Sequence, residues 1–107
     1  MRGVQINLGG QLYELKFTMN VMCDYEELTG KNALTTNIFD NLTASNIRNI
    51  LFSFLRDIDD KITLKDVGAL VTPDNIEEVL SKMIEAYNKA KPEASGEENK
   101  KKVNQLN

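Results

Sequence analysis

The sequence predicts an α+β domain that is mainly α, with an N-terminal β-hairpin packed on a small bundle of about four helices. Two observations carry this prediction. Residues 4–8 and 12–17 alternate apolar and polar side chains, as half-buried strands do, and two glycines lie between them. Residues 43–58 instead keep their apolar side chains at helical spacing, over the longest such segment in the chain.

The hairpin should occupy residues 3–17. Gly9 and Gly10 can adopt the positive φ angles that a tight two-residue turn requires. A phosphate-binding loop is the alternative for paired glycines, but no Lys-Ser or Lys-Thr pair follows them and no helix is predicted to start there. Because a lone hairpin is marginally stable in water, it must pack against the helices.

The helix at residues 43–58 is the element around which the chain is organised. Thr43 is a good N-cap, and Leu42 just before it can pack on Ile47 as a hydrophobic staple. Six apolar residues recur on one face of this helix and are predicted to be core: Ile47, Ile50, Leu51, Phe54, Leu55 and Ile58.

Three further helices are predicted, at about residues 19–29, 64–71 and 73–90. Each is preceded by a threonine that can act as N-cap, namely Thr18, Thr63 and Thr72. Asp66 completes a capping box with Thr63, and Gly30 ends the first helix. Between the first helix and the central one, we expect a loop with a short helical turn near Ile38 and Phe39.

A chain of 107 residues supports one domain, which we place at residues 1–91. Residues 92–107 have almost no apolar content and are predicted to be a disordered tail. A domain this small has a thin margin of stability, so a partner or self-association would help to stabilise it.

The composition argues against most enzymes and against nucleic-acid binders. The absence of histidine removes His-based nucleophile pairs, His metal sites and the usual general base, so we predict a non-enzymatic protein with no cofactor and no metal. A net charge of −3 argues against a nucleic-acid partner. No apolar run is long enough to span a membrane, and the lack of a secretory signal together with a single cysteine favours the cytosol.

Two segments invite a functional interpretation, one as a calcium loop and one as a reactive thiol, but their residues favour neither. The acidic segment that begins at Asp57 fails as a calcium loop, because Ile62 lies where glycine is needed and Gly68 where the bidentate glutamate belongs. Cys23 lies within a helical apolar pattern, which favours a small buried side chain over a reactive thiol.

One row of side chains lies beside the apolar face of the central helix. Arg48, Phe52 and Arg56 follow at i, i+4 and i+8 on what should be an exposed flank. Scattered apolar residues are common on surfaces, which favours Phe52 as filler at the edge of the core. The alternative hypothesis is that the row forms a partner-binding surface, since aromatic residues and arginine are enriched at such surfaces.

The order of these patterns resembles the tail assembly chaperones of long-tailed bacteriophages. The likeness covers about residues 11–91 and is carried by the following segments: Tyr13-Glu14-Leu15-Lys16-Phe17, Glu27-Leu28-Thr29-Gly30-Lys31-Asn32, the helix that Leu42-Thr43 begins and that continues through IRNILFSFLRD, the Ile62-Thr63-Leu64-Lys65-Asp66-Val67 box, and the amphipathic helix at 75–88. These segments are an ordered pattern of hydrophobic residues and caps, with no invariant chemistry.

The resemblance implies a protein that binds the long, largely helical tape measure protein, keeps it soluble and helps to recruit tail tube protein around it. It also implies the host bacterial cytoplasm as the location, and absence from the mature virion. Two other classes stay open. One is a structural phage tail or head-tail joining protein, and the other is a small cytosolic adaptor or regulator.

The resemblance also implies two translation products, because this family commonly makes a longer form when ribosomes slip back one nucleotide. Lys100, Lys101 and Lys102 can be encoded by a run of adenines that would favour slippage. A lysine cluster that merely solubilises a flexible tail is the alternative. A slippery heptamer over codons 99–102 with an overlapping frame behind it would support the programmed frameshift.

Overall fold

The structure is a computed structural model that describes residues 2–90. The predicted disordered tail at 92–107, with its lysine cluster, lies outside the described residues. Within the described part, the predicted fold class is confirmed: an N-terminal two-stranded antiparallel hairpin packs on four helices.

The hairpin consists of strands β1 (Val4–Leu8) and β2 (Gln11–Leu15). Leu8 pairs with Gln11, so the connection is the predicted two-residue turn. Gly9 has φ of 59° and Gly10 has φ of 82°, and a turn with positive φ at both positions matches the right-handed twist of the strands. Alternate side chains of β1 are buried, which places one face of the hairpin on the core.

The helices are α1 (Met19–Thr29), α2 (Ala44–Arg56), α3 (Leu64–Leu70) and α4 (Ile76–Ala90). The ends of α1 agree with the prediction, and α3 ends one residue earlier than predicted. The predicted start of α4 at residue 73 is three residues early. The carbonyl of Thr72 accepts from the amide of Ile76 at 3.0 Å, so the chain forms a hydrogen-bonded turn over these residues before regular helix begins.

The predicted threonine caps account for where α1, α2 and α3 start. Thr18 Oγ1 accepts from the amide of Val21 and also donates to Asp57 Oδ2 at 2.9 Å, which ties the start of α1 to the end of α2. Thr63 and Asp66 form the reciprocal capping box at α3, with bonds of 3.0 and 3.1 Å. Gly30 ends α1 in the left-handed region, with φ of 76°.

Helix α2 lies at the centre of the fold. It contacts α1, α3 and β2, while α4 packs on both strands of the hairpin. Five of the six residues predicted to form its core face are buried: Ile47, Ile50, Leu51, Phe54 and Leu55. Three aromatic contacts connect these elements, joining Phe17 to Phe54, Phe17 to Tyr87 and Phe39 to Tyr87 with ring centroids 4.9 to 5.9 Å apart.

Ile58, the sixth predicted core residue, is 48% exposed, so that prediction is wrong. Helix α2 ends at Arg56, two residues before the predicted end. The amide of Ile58 then bonds to the carbonyl of Leu55, three residues back. This tighter winding breaks the 100° spacing on which the prediction depended, and it turns the isoleucine side chain away from the core.

Cys23 is exposed, which also contradicts the sequence interpretation. The fully buried residues of α1 are Val21 and Tyr25. Cys23 is two positions from each, and a two-residue step turns a helix by about 200°, to its opposite face. The thiol therefore lies on the solvent side.

Candidate partner-binding groove

An apolar groove of about 510 Å³ opens where α2, α3 and the start of α4 meet. Nine of its ten lining residues are uncharged and most are apolar: Ala44, Ser45, Ile47, Val67, Gly68, Val71, Thr72, Pro73 and Ile76. The tenth is Arg48. Such a volume falls within the range of about 300 to 1,000 Å³ that is usual for binding sites.

Local hydrogen bonds fix the walls of this groove. Asn75 joins the end of α3 to the beginning of α4, because its Nδ2 donates to the carbonyl of Leu70 at 2.9 Å and its Oδ1 accepts from the amide of Thr72 at 2.8 Å. The capping box at Thr63 fixes the other end of α3. These hydrogen bonds hold the ends of the helices that form the walls of the groove.

Arg48 is the one charge in the groove lining, and the shape of α3 positions it. A Cβ placed on Gly68 would lie only 3.3 Å from Cδ of Arg48, so the absence of a side chain at Gly68 lets the arginine stem pass close over α3. The side chain of Arg48 forms no ion pair with any residue from 2 to 90. Its charge remains available to a partner.

The structure separates the row of residues predicted to bind a partner. Phe52 is buried, with 8% of its surface exposed, so the exposed flank expected there is wrong. Helix α2 is covered on several sides by α1, α3 and β2, and the buried arc is wider than its sequence pattern suggests. Arg56 is exposed, with its guanidinium carbon 5.9 Å from the centre of the Phe52 ring. Arg48 instead belongs to the groove.

A buried polar cluster next to the groove was not predicted. Asn46 follows Ser45 in the first turn of α2, and its Nδ2 donates to the carbonyls of Ile38 at 3.0 Å and Asn41 at 2.6 Å. Its Oδ1 accepts from the hydroxyl of Tyr25. Asn46 therefore holds the loop before α2 against α1. A polar residue beside a predicted core stripe was the only sequence signal for it.

Within residues 2–90, no three side chains of the types that bind metals are grouped to hold an ion. None of the helices described is long and apolar enough to cross a membrane.

Comparison of the chain with protein-family models, with curated protein sequences and with solved structures finds no match. The fold and the groove define the class: a small α+β domain with a braced apolar groove on its helical side.

Proposed function

We propose that this protein is a phage tail assembly chaperone that binds the tape measure protein through the apolar groove and helps to recruit tail tube protein. The observation that carries the proposal is the groove itself. It is apolar and open to solvent, and hydrogen bonds of Asn75 hold its walls. A chaperone for a long helical client needs a surface of this kind.

The lining favours an amphipathic helix as the bound element. Helices dock in apolar grooves by inserting side chains at i, i+3, i+4 and i+7. The groove offers small residues at its edge, such as Ala44, Ser45 and Gly68, over a floor that includes the buried side chains of Ile47 and Val67. Small edge residues allow a partner helix to approach closely.

On this proposal the client is the one that the sequence resemblance implies, and the groove is the surface that binds it. The groove replaces the row of Arg48, Phe52 and Arg56 as the proposed binding surface, although Arg48 belongs to both. On this proposal the protein acts in the host bacterial cytoplasm and is absent from the mature virion. The longer frameshifted form remains a prediction on residues outside the described part.

The two other classes are less well supported. A tail tube subunit needs a large sheet, whereas the described residues contain one two-stranded hairpin. A small adaptor or regulator would also suit an apolar groove. The neighbouring genes separate this class from the chaperone, because a chaperone gene should lie just upstream of a very long reading frame with helical character.

The test is co-expression with the product of that long reading frame. We expect the chaperone to raise the soluble yield of the client and to co-purify with it. Ser45→Glu places a carboxylate in the groove and should reduce co-purification about tenfold. Its matched control is Asn20→Glu, since both residues are exposed and occupy the second position of a helix, where glutamate is tolerated.

If Ser45→Glu and Asn20→Glu bind the client equally, the groove is not the binding surface. If the unmodified chain neither solubilises nor binds the client, the proposed function is wrong.

A further inference from the structure

The rim of the groove between α2 and α3 carries positive charge. Arg48 is exposed there, with its Cδ 3.3 Å and its Nη1 4.0 Å from the point that a Cβ on Gly68 would occupy. Its side chain forms neither an ion pair nor a hydrogen bond with residues 2–90. Lys65 is exposed and precedes Gly68 by three positions, so it lies on the same side of α3. The side of α3 next to Arg48 therefore carries a second positive charge.

No carboxylate of α2 or α3 offsets this charge. Helix α2 contains no acidic residue. Asp66, the one acidic residue of α3, is two positions from Gly68, and a two-residue step turns a helix by about 200°, to its opposite face. On the third wall, Asp74 and Glu77 are not among the lining residues and form no ion pair with Arg48. The guanidinium thus lies unpaired beside an apolar surface.

An unpaired arginine in this position makes the groove selective for charge. A helix that docks in the groove takes water away from the rim, and a desolvated cation without a partner is unfavourable. A carboxylate on the docked helix removes this cost, because hydrogen bonds between ionised groups are stronger than those between neutral groups. The apolar lining then supplies affinity, and the arginine supplies specificity.

We propose that the groove selects a client helix that carries an aspartate or glutamate beside its apolar stripe, and that Arg48 is the residue that pairs with this carboxylate. The inference rests on the proposed function, since the bound helix belongs to the client. Residues three and four positions apart are neighbours on a helix surface. The client carboxylate should therefore lie three or four positions from an apolar residue that enters the groove.

The test selects helices from a displayed library in which the apolar residues at i, i+3, i+4 and i+7 are fixed and the positions beside them are randomised. We expect the unmodified chain to enrich aspartate and glutamate at a position next to the stripe. Arg48→Glu should instead enrich lysine and arginine. The matched control is Arg56→Glu, which makes the same change at an exposed arginine at the other end of α2 and should keep the acidic preference.

One selected helix, synthesised with glutamate, glutamine or lysine at the enriched position, gives the size of the effect. In isothermal titration, the unmodified chain should bind the glutamate peptide about fivefold more tightly than the glutamine peptide. Arg48→Glu should bind the lysine peptide most tightly of the three. Ser45→Glu, which places a carboxylate in the groove, should weaken binding of the glutamate peptide. Thermal unfolding midpoints of the variants, measured alongside, show that the fold is intact.

The inference is wrong if the selection recovers no helix, if Arg48→Glu keeps the acidic preference, or if Arg56→Glu loses it as well. Unchanged binding of the glutamate peptide to Ser45→Glu would place the site outside the groove and would also overturn it. Displacement of that peptide by a synthetic peptide of residues 91–107 would assign the groove to the chain's own C-terminal segment. Weaker peptide binding at higher protein concentration would assign it to a second copy. Either result overturns the inference.

Failure of the proposed function gives a different result. The chain would then select acidic helices and yet not bind the product of the long reading frame. If instead that product binds Arg48→Glu and Arg56→Glu equally well, the proposed function stands and the inference about Arg48 is wrong.

Discussion

The phenolic hydroxyl of Tyr25 donates a 2.7 Å hydrogen bond to Oδ1 of Asn46, and both side chains are buried. The same asparagine donates to two loop carbonyls. One side chain of α2 thus satisfies polar groups on two other segments, α1 and the loop before α2. Buried polar groups in such a cluster stabilise the fold only while each keeps its partner.

Asn46→Ala should therefore be among the most destabilising polar substitutions in the chain. It breaks the buried hydrogen bonds that Asn46 makes with the Tyr25 hydroxyl and the Ile38 carbonyl, at a cost of about 3 kcal/mol in the free energy of unfolding. Tyr25→Phe removes one hydrogen bond and should cost about 1 kcal/mol. Urea unfolding measures both values. Equal losses in the two variants would show that the loop carbonyls find other partners.

The stability of the protein should fall above pH 10 because of Tyr25. Burial raises the pKa of its hydroxyl above the ordinary value of 10.0, and the hydrogen bonds with Asn46 and Thr29 oppose that shift only in part. As the pH passes 10, the unfolded chain loses this proton while the folded chain keeps it, which favours unfolding. Below that pH the tyrosine contributes no pH dependence.

Other groups titrate in the same alkaline range, so the measurement is a comparison of unfolding free energies between the unmodified chain and Tyr25→Phe from pH 8 to 11. The stability of the unmodified chain should decrease more steeply. Parallel curves would mean that Tyr25 ionises at its ordinary pKa.

Phe52→Ala should destabilise the fold, which reverses the expectation for an exposed residue. The side chain is only 8% exposed and belongs to the main core, so its removal should cost about 3 kcal/mol. Arg56→Ala, which removes the charge near the ring, should cost about 0.5 kcal/mol. Thermal and urea unfolding give both values. A loss below 1 kcal/mol for Phe52→Ala would restore the original surface hypothesis.

Gly9→Ala and Gly10→Ala should differ in effect although both glycines have positive φ. A methyl group at Gly10 meets nothing within 4 Å, so its cost is backbone strain of about 1 to 2 kcal/mol. A methyl group at Gly9 would lie 2.8 Å from Cδ2 of Leu70, which must also shift. We expect Gly9→Ala to lower the unfolding midpoint further. Equal midpoints would indicate that Leu70 moves aside at no cost.

Much of the fold could be predicted from local sequence patterns, because the same residues make the same short-range contacts in the folded chain. The threonine caps at Thr18 and Thr63 and the turn glycines act over three or four residues, and the structure places each as predicted. The prediction that Ile58 is buried was wrong because α2 ends at Arg56, whereas the apolar spacing in the sequence continues to residue 58. The burial of Phe52 fits its favoured interpretation as filler at the edge of the core, but the exposed flank expected there is wrong, because periodicity describes one face of a helix whereas α2 is packed on several sides.

The groove could not be predicted for a different reason. Its walls come from α2, α3 and the start of α4, and their relative placement depends on contacts between elements distant in sequence. Arg48 was selected from its spacing, but the partner that the structure gives it, Gly68, lies on another helix. A helical pattern cannot show which residues of two helices approach each other.

The hydroxyl of Thr18 makes two hydrogen bonds. Its Oγ1 caps α1 by accepting from Val21, and it also donates to Asp57, the residue that follows α2. A fluctuation that lifts the end of α2 removes the carboxylate that orients this hydroxyl, and so weakens the cap of α1. In a hydrogen-exchange experiment, amides in the first turn of α1 and the last turn of α2 should therefore lose protection together, as one cooperative unit, although 39 residues separate the two side chains in sequence.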